Sequence, residues 1–130
     1  MPEHNMRDIF LGILYFFSKN HGIQFWYDSD NMQRFIFSER LNYTVLKEIA
    51  FDVDRIPPIS SAVSDAYSEL IEARMIKSFG PEMNPHYITE AVNYGFEKYS
   101  KRRFKRKERK ELKKLSESFR QKVSLESRVG

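Results

Sequence analysis

The sequence predicts a mainly α-helical protein with a small β component, an α+β fold. Three observations carry this prediction. Apolar residues recur at the three- and four-residue spacing of an amphipathic helix, short β-forming runs lie beside turn residues, and a long basic segment near the C-terminus is rich in helix formers. The 130 residues are 41% hydrophobic and 15% aromatic, which suffices for the hydrophobic core of one domain.

The first element is predicted to be a buried helix over residues 6–19. Its apolar residues share one helix face, namely Ile9, Phe10, Ile13, Leu14 and Phe17. Gly22 is placed to end this helix, because glycine readily adopts the left-handed conformation found there. The apolar run over 9–17 is far shorter than the roughly 20 residues of a membrane-spanning helix, so we expect no membrane partner.

Two aromatic runs follow, over residues 23–27 and 33–37, with the polar segment 28–31 between them. Strand-forming residues on either side of a polar turn are typical of a β-hairpin. We therefore predict a hairpin inserted after the N-terminal helix.

A second helix is predicted from Ser38, whose hydroxyl can cap it, to a point before Pro57. A third helix is predicted from Ile59, where the amphipathic pattern is the most regular in the chain. Short strands at 75–79 and 86–88, joined by a loop, come next. A last helix is expected to begin after Thr89 and to continue through the basic segment to about residue 123.

Two helices followed by a strand, a loop and a strand make a helix-turn-helix with a wing. The run 43–50 carries a Leu-x-x-Ile-Ala pattern, the run 59–78 is similar to a recognition helix and its exit, and Tyr-Ile-Thr-Glu-Ala at 87–91 is similar to the entry into the last helix. Over residues 43–99 the chain thus resembles winged helix-turn-helix regulators in the broad sense, including the MarR and PadR types. The resemblance implies DNA binding, with contacts from the third helix and wing through Ser60, Ser61, Ser64 and Lys77.

Charge divides the chain into two parts. Residues 1–100 carry nine Lys and Arg against fourteen Asp and Glu, a net charge of −5, whereas residues 101–130 carry thirteen against four, a net charge of +9. Such an asymmetry indicates an interaction appendage. We expect a winged-helix-like domain over residues 1–99 and a basic C-terminal helix or tail over residues 100–130.

The basic segment 101–114 packs ten cations into fourteen residues, opposed only by Glu108 and Glu111. Such a cluster neutralises phosphates with little sequence preference, so nucleic acid, and double-stranded DNA first, is the expected partner. An acidic protein surface, the acidic body of the same chain and plain solvation are the alternatives. The candidate nucleic-acid-binding residues of this segment are Lys101, Arg102, Arg103, Lys105, Arg106, Lys107, Arg109, Lys110, Lys113 and Lys114.

The acidic face of the third helix leaves a second function open. The polar face of the third helix carries Asp65 and Glu69 and no cation before Arg74, which opposes contact with a polyanion. The alternative is therefore a protein–protein interaction module, in which the acidic body binds a protein partner and the basic tail serves assembly. A narrow apolar stripe in the last helix fits either a homodimer through that helix or packing back onto the body; its residues are Leu112, Leu115, Phe119 and Val123.

No pattern in the chain indicates catalysis. The three histidines, His4, His21 and His86, are far apart, and the glycines are scattered singly. We therefore expect no enzyme activity, no cofactor and no metal site. The absence of cysteine excludes disulfides and thiolate metal sites, and it agrees with a cytoplasmic location.

Overall fold

A computed structural model describes residues 4–78 and 85–123 of the chain. Helices form most of this part, and a small three-stranded antiparallel sheet accompanies them. The prediction of a mainly helical α+β fold is confirmed. Several of the predicted elements differ from those observed, and each difference has a local physical cause.

Helix α1 (Met6–His21) forms the centre of the fold, as predicted. The Asn5 side chain caps it by accepting a hydrogen bond from the Asp8 amide at 2.8 Å. Gly22 ends it with a φ of 87°, a value that favours glycine. Ten of its sixteen residues are buried, more than one face would supply, because other helices cover it on several sides.

The predicted β-hairpin is wrong. Strand β1 (Gln24–Phe25) lies where its first strand was expected, but the second run belongs to helix α2 (Ser29–Glu39). Asp28, taken as a turn residue, is the helix cap, and its carboxylate accepts from the amides of Asp30 and Asn31. The buried residues Met32, Phe35 and Ile36 have the spacing of one helix face.

The predicted second helix is also wrong. Between α2 and the next helix the chain forms only a 3-10 turn (Thr44–Leu46) and a loop, in which Asp52 and Ile59 make an isolated antiparallel bridge. Val45, Leu46 and Ile49 are buried, but Leu41, which begins the helical spacing, is 78% exposed. Apolar spacing was therefore an unreliable guide to this segment.

Helix α3 (Ser61–Glu72) confirms the most regular of the predicted helices. Ser60 caps it, because its hydroxyl accepts from the Val63 amide at 3.3 Å. The buried face of α3 packs against α1 and consists of Val63, Ala66, Tyr67 and Leu70.

Strands β2 (Ile76–Lys77) and β3 (His86–Ile88) lie where the two later strands were predicted. The sheet order is β1-β3-β2, with Phe25 opposite His86 and Ile76 opposite Ile88. Residues 79–84, which hold the end of the first predicted strand and most of the predicted loop, lie outside the described part of the chain.

The last predicted helix is broken. Helix α4 (Glu90–Gly95) runs into a π-helix (Phe96–Ser100) and a 3-10 turn (Lys101–Arg103), and after an extended Phe104 the chain enters helix α5 (Arg106–Val123). The break puts the Phe104 ring into the core, where it is 2% exposed.

Helix α5 belongs to the same hydrophobic core as the helices before it. Leu112, Leu115 and Phe119 are at most 1% exposed, and α5 packs along α1. Gly12 permits this close approach, because a Cβ at Gly12 would lie 2.5 Å from a methyl carbon of Leu112. The core thus continues across the predicted domain boundary at 99/100, and Leu112, Leu115 and Phe119 of the apolar stripe pack on the body. Residues 124–130 and the side chain of Val123 lie outside the described residues.

Candidate nucleic-acid interface

The basic segment lies on the outside of the fold. Nine of its ten cations are exposed, and the tenth, Arg109, is half-buried. Arg109 donates from its guanidinium to the carbonyl oxygen of Phe104 at 2.6 Å, so it supports the bend that precedes α5.

Arg103 ties the segment to α1. Its guanidinium lies 2.8 Å from Asp8 Oδ2, and the Ser100 hydroxyl donates to Asp8 Oδ1 at 2.8 Å. Asp8 and Ser100 are both buried, so the Asp8 carboxylate is satisfied on both oxygens. Arg103 therefore anchors the segment to α1, and its expected contact with nucleic acid stays a prediction.

Both acidic residues of the segment are turned toward the body. Glu108 is buried; it accepts from the Lys105 amide at 2.7 Å, as in a helix capping box, and its other oxygen lies 2.8 Å from His4 Nε2. Glu111 accepts three hydrogen bonds from the 3-10 turn, from the amides of Thr44 and Val45 and from the Thr44 hydroxyl, at 2.8–3.1 Å. The only two negative charges within 101–114 are thus used inside the structure.

Eight exposed cations remain, and the described residues offer them no ion pair. We call these residues the cationic surface; they are Lys101, Arg102, Lys105, Arg106, Lys107, Lys110, Lys113 and Lys114. The last five lie on α5 with spacings of one, three, three and one, on the side opposite its buried stripe, over about 12 Å of helix. These cations form no ion pairs among the described residues because Glu108 and Glu111 point into the body.

Helix α3 does not add to this surface as expected. Ser60 is 1% exposed and fully engaged, since its amide donates to Gln33 Oε1 at 2.9 Å and its carbonyl accepts from Gln33 Nε2 at 3.1 Å. Contrary to expectation, Ser60 therefore cannot reach a groove. Ser61 and Ser64 are exposed, and the Ser64 hydroxyl also accepts from Gln33 at 2.9 Å.

The exposed face of α3 is acidic. Asp65, Glu69 and Glu72 are exposed on it, and α3 itself contains no Lys or Arg. Arg7 of α1 lies 3.7 Å from Glu69, an exposed pair that contributes little. Lys77 is exposed on β2.

Two tyrosines just before the basic segment were missed by the sequence analysis. Tyr94 and Tyr99 are 58% and 54% exposed, and their ring centroids lie 6.2 Å apart at an interplanar angle of 73°. Lys98 Nζ donates to the Tyr94 hydroxyl at 2.8 Å and lies 5.1 Å and 5.9 Å from the two ring centroids. The available signal was the interleaving of aromatic and basic residues over 94–102.

The buried titratable side chains of the core form contacts that stabilise the structure. Tyr67 OH lies 2.6 Å from His86 Nδ1, and Tyr27 stacks on both rings. Burial lowers the pKa of His86, and burial together with Tyr27 raises the pKa of Tyr67. Both shifts favour neutral groups, so we assign the Tyr67 hydroxyl as donor to an uncharged His86.

The histidines form separate contacts: His4 with Glu108, His21 with Glu117 at 2.9 Å, and His86 with Tyr67. Within residues 4–78 and 85–123, no three His, Asp or Glu side chains come together as a metal site would require. None of the helices in these ranges combines the length and apolar character needed to cross a bilayer.

No protein-family model matches the chain, and no curated protein or solved structure gives a significant match to it.

Proposed function

We propose that this protein binds nucleic acid, with double-stranded DNA as the target, and that the cationic surface makes the contact. The supporting observation is that Glu108 and Glu111 point into the body, which leaves eight neighbouring cations exposed and without an ion pair among the described residues. Such a surface attracts phosphate by counterion release. Contact through phosphates carries little sequence information, so we expect weak sequence preference.

We further propose that the body is a winged-helix variant. The supporting feature is the element order α1-β1-α2-α3-β2-β3, with β1 paired to β3 and a connection between β2 and β3 in the position of a wing. In this arrangement α2 replaces residues 43–50 as the helix before α3. The acidic residues Asp65, Glu69 and Glu72 make α3 a poor groove reader. Ser61, Ser64 and Lys77 are secondary contacts.

The proposal is tested by salt-dependent binding to duplex DNA. Charge reversal of Lys107, Lys110 and Lys114, which share one side of α5, is expected to abolish most binding at low salt. A smaller change to Ala at these positions is expected to reduce the slope of log affinity against log salt by about one for each phosphate that is no longer neutralised.

The matched control reverses three exposed cations outside the segment, Arg34, Lys47 and Arg55, and so changes the net charge equally. If both triple variants lose binding equally, overall charge and not the cationic surface attracts DNA. If the unaltered protein shows no duplex binding at low salt, the proposal is wrong.

A second candidate function is protein binding by the acidic face of α3 and the loop before it. The observation that favours it is the loop before α3, where Val53 and Ile56 are 63% and 98% exposed beside the acidic helix face. Exposed apolar residues rimmed by charge are typical of a protein-binding surface. A stoichiometric protein partner that survives nuclease treatment and is lost in Val53→Ser/Ile56→Ser would support it.

A homodimer through α5 stays a prediction. Leu112, Leu115 and Phe119 already pack on α1 within one chain, so a dimer would use another face of the helix.

A further inference from the structure

The two exposed tyrosines differ from the other aromatic residues of the described chain. Every other Phe, Trp and Tyr in residues 4–78 and 85–123 is buried or half-buried. Tyr94 and Tyr99 instead leave more than half of each side chain in water, at the point where the acidic body gives way to the basic segment. Their exposure therefore needs a reason that lies outside the core.

The backbone brings the two rings together. Residues five apart point in different directions in a regular α-helix, because each residue turns the helix by about 100°. The π-helix over Phe96–Ser100 widens the turn, and Tyr94 and Tyr99 consequently lie edge to face with centroids 6.2 Å apart. Such short π-helical turns are often found at functional sites.

Positive charge accompanies the rings. Lys98 lies against both of them, and the exposed cations Lys101 and Arg102 follow in the 3-10 turn that continues the π-helix. The nearby acid Glu97 is already engaged, since it accepts a hydrogen bond from the Tyr15 hydroxyl and lies 3.5 Å from Lys19 Nζ. Glu97 also interacts electrostatically with Lys101. Lys98, Lys101 and Arg102 nevertheless form no ion pair with a described acid.

We propose that Tyr94 and Tyr99, with Lys98, Lys101 and Arg102, form a binding site for a nucleic-acid strand with unpaired bases. The rings stack on bases and the three cations neutralise the adjoining phosphates, which is how single-strand-binding surfaces generally work. This inference rests on the proposed function, because the same segment supplies the cations. It adds that the preferred ligand has a single-stranded stretch.

A plain surface contact between Lys98 and the tyrosines is the competing explanation. Such a contact at an exposed site stabilises a protein weakly, and one ring would suffice for it. Two rings held edge to face beside three cations match the requirements of a base and its phosphates more closely. The two explanations make different predictions for a strand that lacks bases.

The test compares three fluorescently labelled ligands at low salt: an oligothymidylate of about 12 nucleotides, an abasic strand of the same length, and a duplex. Fluorescence anisotropy measures their affinities for the unaltered full chain and for Tyr94→Ala/Tyr99→Ala. The double substitution Tyr94→Phe/Tyr99→Phe retains the rings, and Leu41→Ala/Ile23→Ala removes exposed apolar side chains elsewhere.

We expect the unaltered chain to bind oligothymidylate about tenfold or more tightly than the abasic strand, as one or two stacked bases would give. The Ala pair should lose that advantage and keep its affinity for the abasic strand, whereas the Phe pair and the control should behave like the unaltered chain. Equal affinity of the unaltered chain for both strands, or an equal loss on both in the Ala pair, would overturn the inference and leave the proposed function standing. Failure to bind any of the three ligands would overturn both.

Discussion

Glu108 and His4 make a buried contact of 2.8 Å that joins the start of α5 to the residues before α1. The His4 ring also lies 4.3 Å, centroid to centroid, from the ring of Phe104. One carboxylate therefore holds the N-terminal segment, the bend at Phe104 and the first turn of α5 together.

This contact makes stability depend on acid pH. Burial raises the pKa of Glu108, but hydrogen bonds from the Lys105 amide and His4, with the charges of both residues, outweigh burial and hold it below the ordinary 4.5. The unfolded chain then takes up the proton at higher pH than the folded one, so the stabilisation is full above about pH 5 and is lost as the pH falls through the folded pKa.

We expect Glu108→Gln to lower the free energy of unfolding at pH 7 by about 2 kcal/mol, and the difference from the unaltered chain to shrink as the pH falls from 7 to 3. Urea unfolding across this range measures it. Glu117→Gln, a half-exposed acid on the same helix, is the control and should change little. A difference that stays constant from pH 7 to pH 3 would contradict the role of the charge.

Gly12 and Leu112 should be energetically coupled. Gly12→Ala places a methyl group 2.5 Å from the Leu112 side chain, so we expect a loss of about 1–3 kcal/mol from overpacking. Leu112→Ala leaves a cavity beside α1 and should cost about 2–5 kcal/mol. In the double variant the new methyl group enters the vacated space, and the combined loss should be smaller than the sum of the two. Unfolding of all four proteins measures the coupling, and additivity within about 0.5 kcal/mol would refute it.

Glu111 should stabilise the 3-10 turn over a long sequence distance. Glu111→Ala removes the acceptor for the amides of Thr44 and Val45, and we expect about 1 kcal/mol of lost stability and faster hydrogen exchange of those two amides. Nuclear magnetic resonance exchange measurements read both sites directly. The control Glu117→Ala removes an acid of the same charge from the same helix and should leave both amides protected. Unchanged protection of the two amides in Glu111→Ala would show that the 3-10 turn is stable without Glu111.

We expect Ser60 to contribute to the stability of the fold and not to the affinity for DNA. Ser60→Ala removes the cap of α3 and should cost about 1 kcal/mol of stability, with duplex affinity unchanged. Ser61→Ala, one residue later and exposed, should change stability by less than about 0.5 kcal/mol. Thermal unfolding and anisotropy on the same samples separate the two effects. A lower duplex affinity of the folded Ser60→Ala variant would show that Ser60 belongs to the DNA interface.

The elements that the sequence predicted well are those whose pattern has one interpretation. The regular spacing in α1 and α3 predicts both helices, and Ile88 in β3 lies on a strand as expected. Asp28 was ambiguous, because an aspartate suits both a turn and a helix cap, and only the spacing of Met32, Phe35 and Ile36 could have decided between them.

The remaining differences depend on partners far along the chain. The turn at Thr44 is held by Glu111, 67 residues away, and the bend at Phe104 is packed by His4, one hundred residues earlier; no local pattern contains such information. The cationic segment itself was evident from composition. That its acids point inward could have been inferred, since Glu108 and Glu111 lie four residues before Leu112 and Leu115 and so share their side of the helix.

Because α5 packs into the core, the basic segment cannot be deleted without damage to the fold. A stop codon before residue 105 would remove six of the eight residues of the cationic surface together with Leu112, Leu115 and Phe119, and the fold would lose part of its core. The phenotype of such a truncation would report on protein abundance as much as on DNA. Evolution faces the same coupling: this chain can vary the charge of its outer helix face one side chain at a time, but it cannot discard the helix.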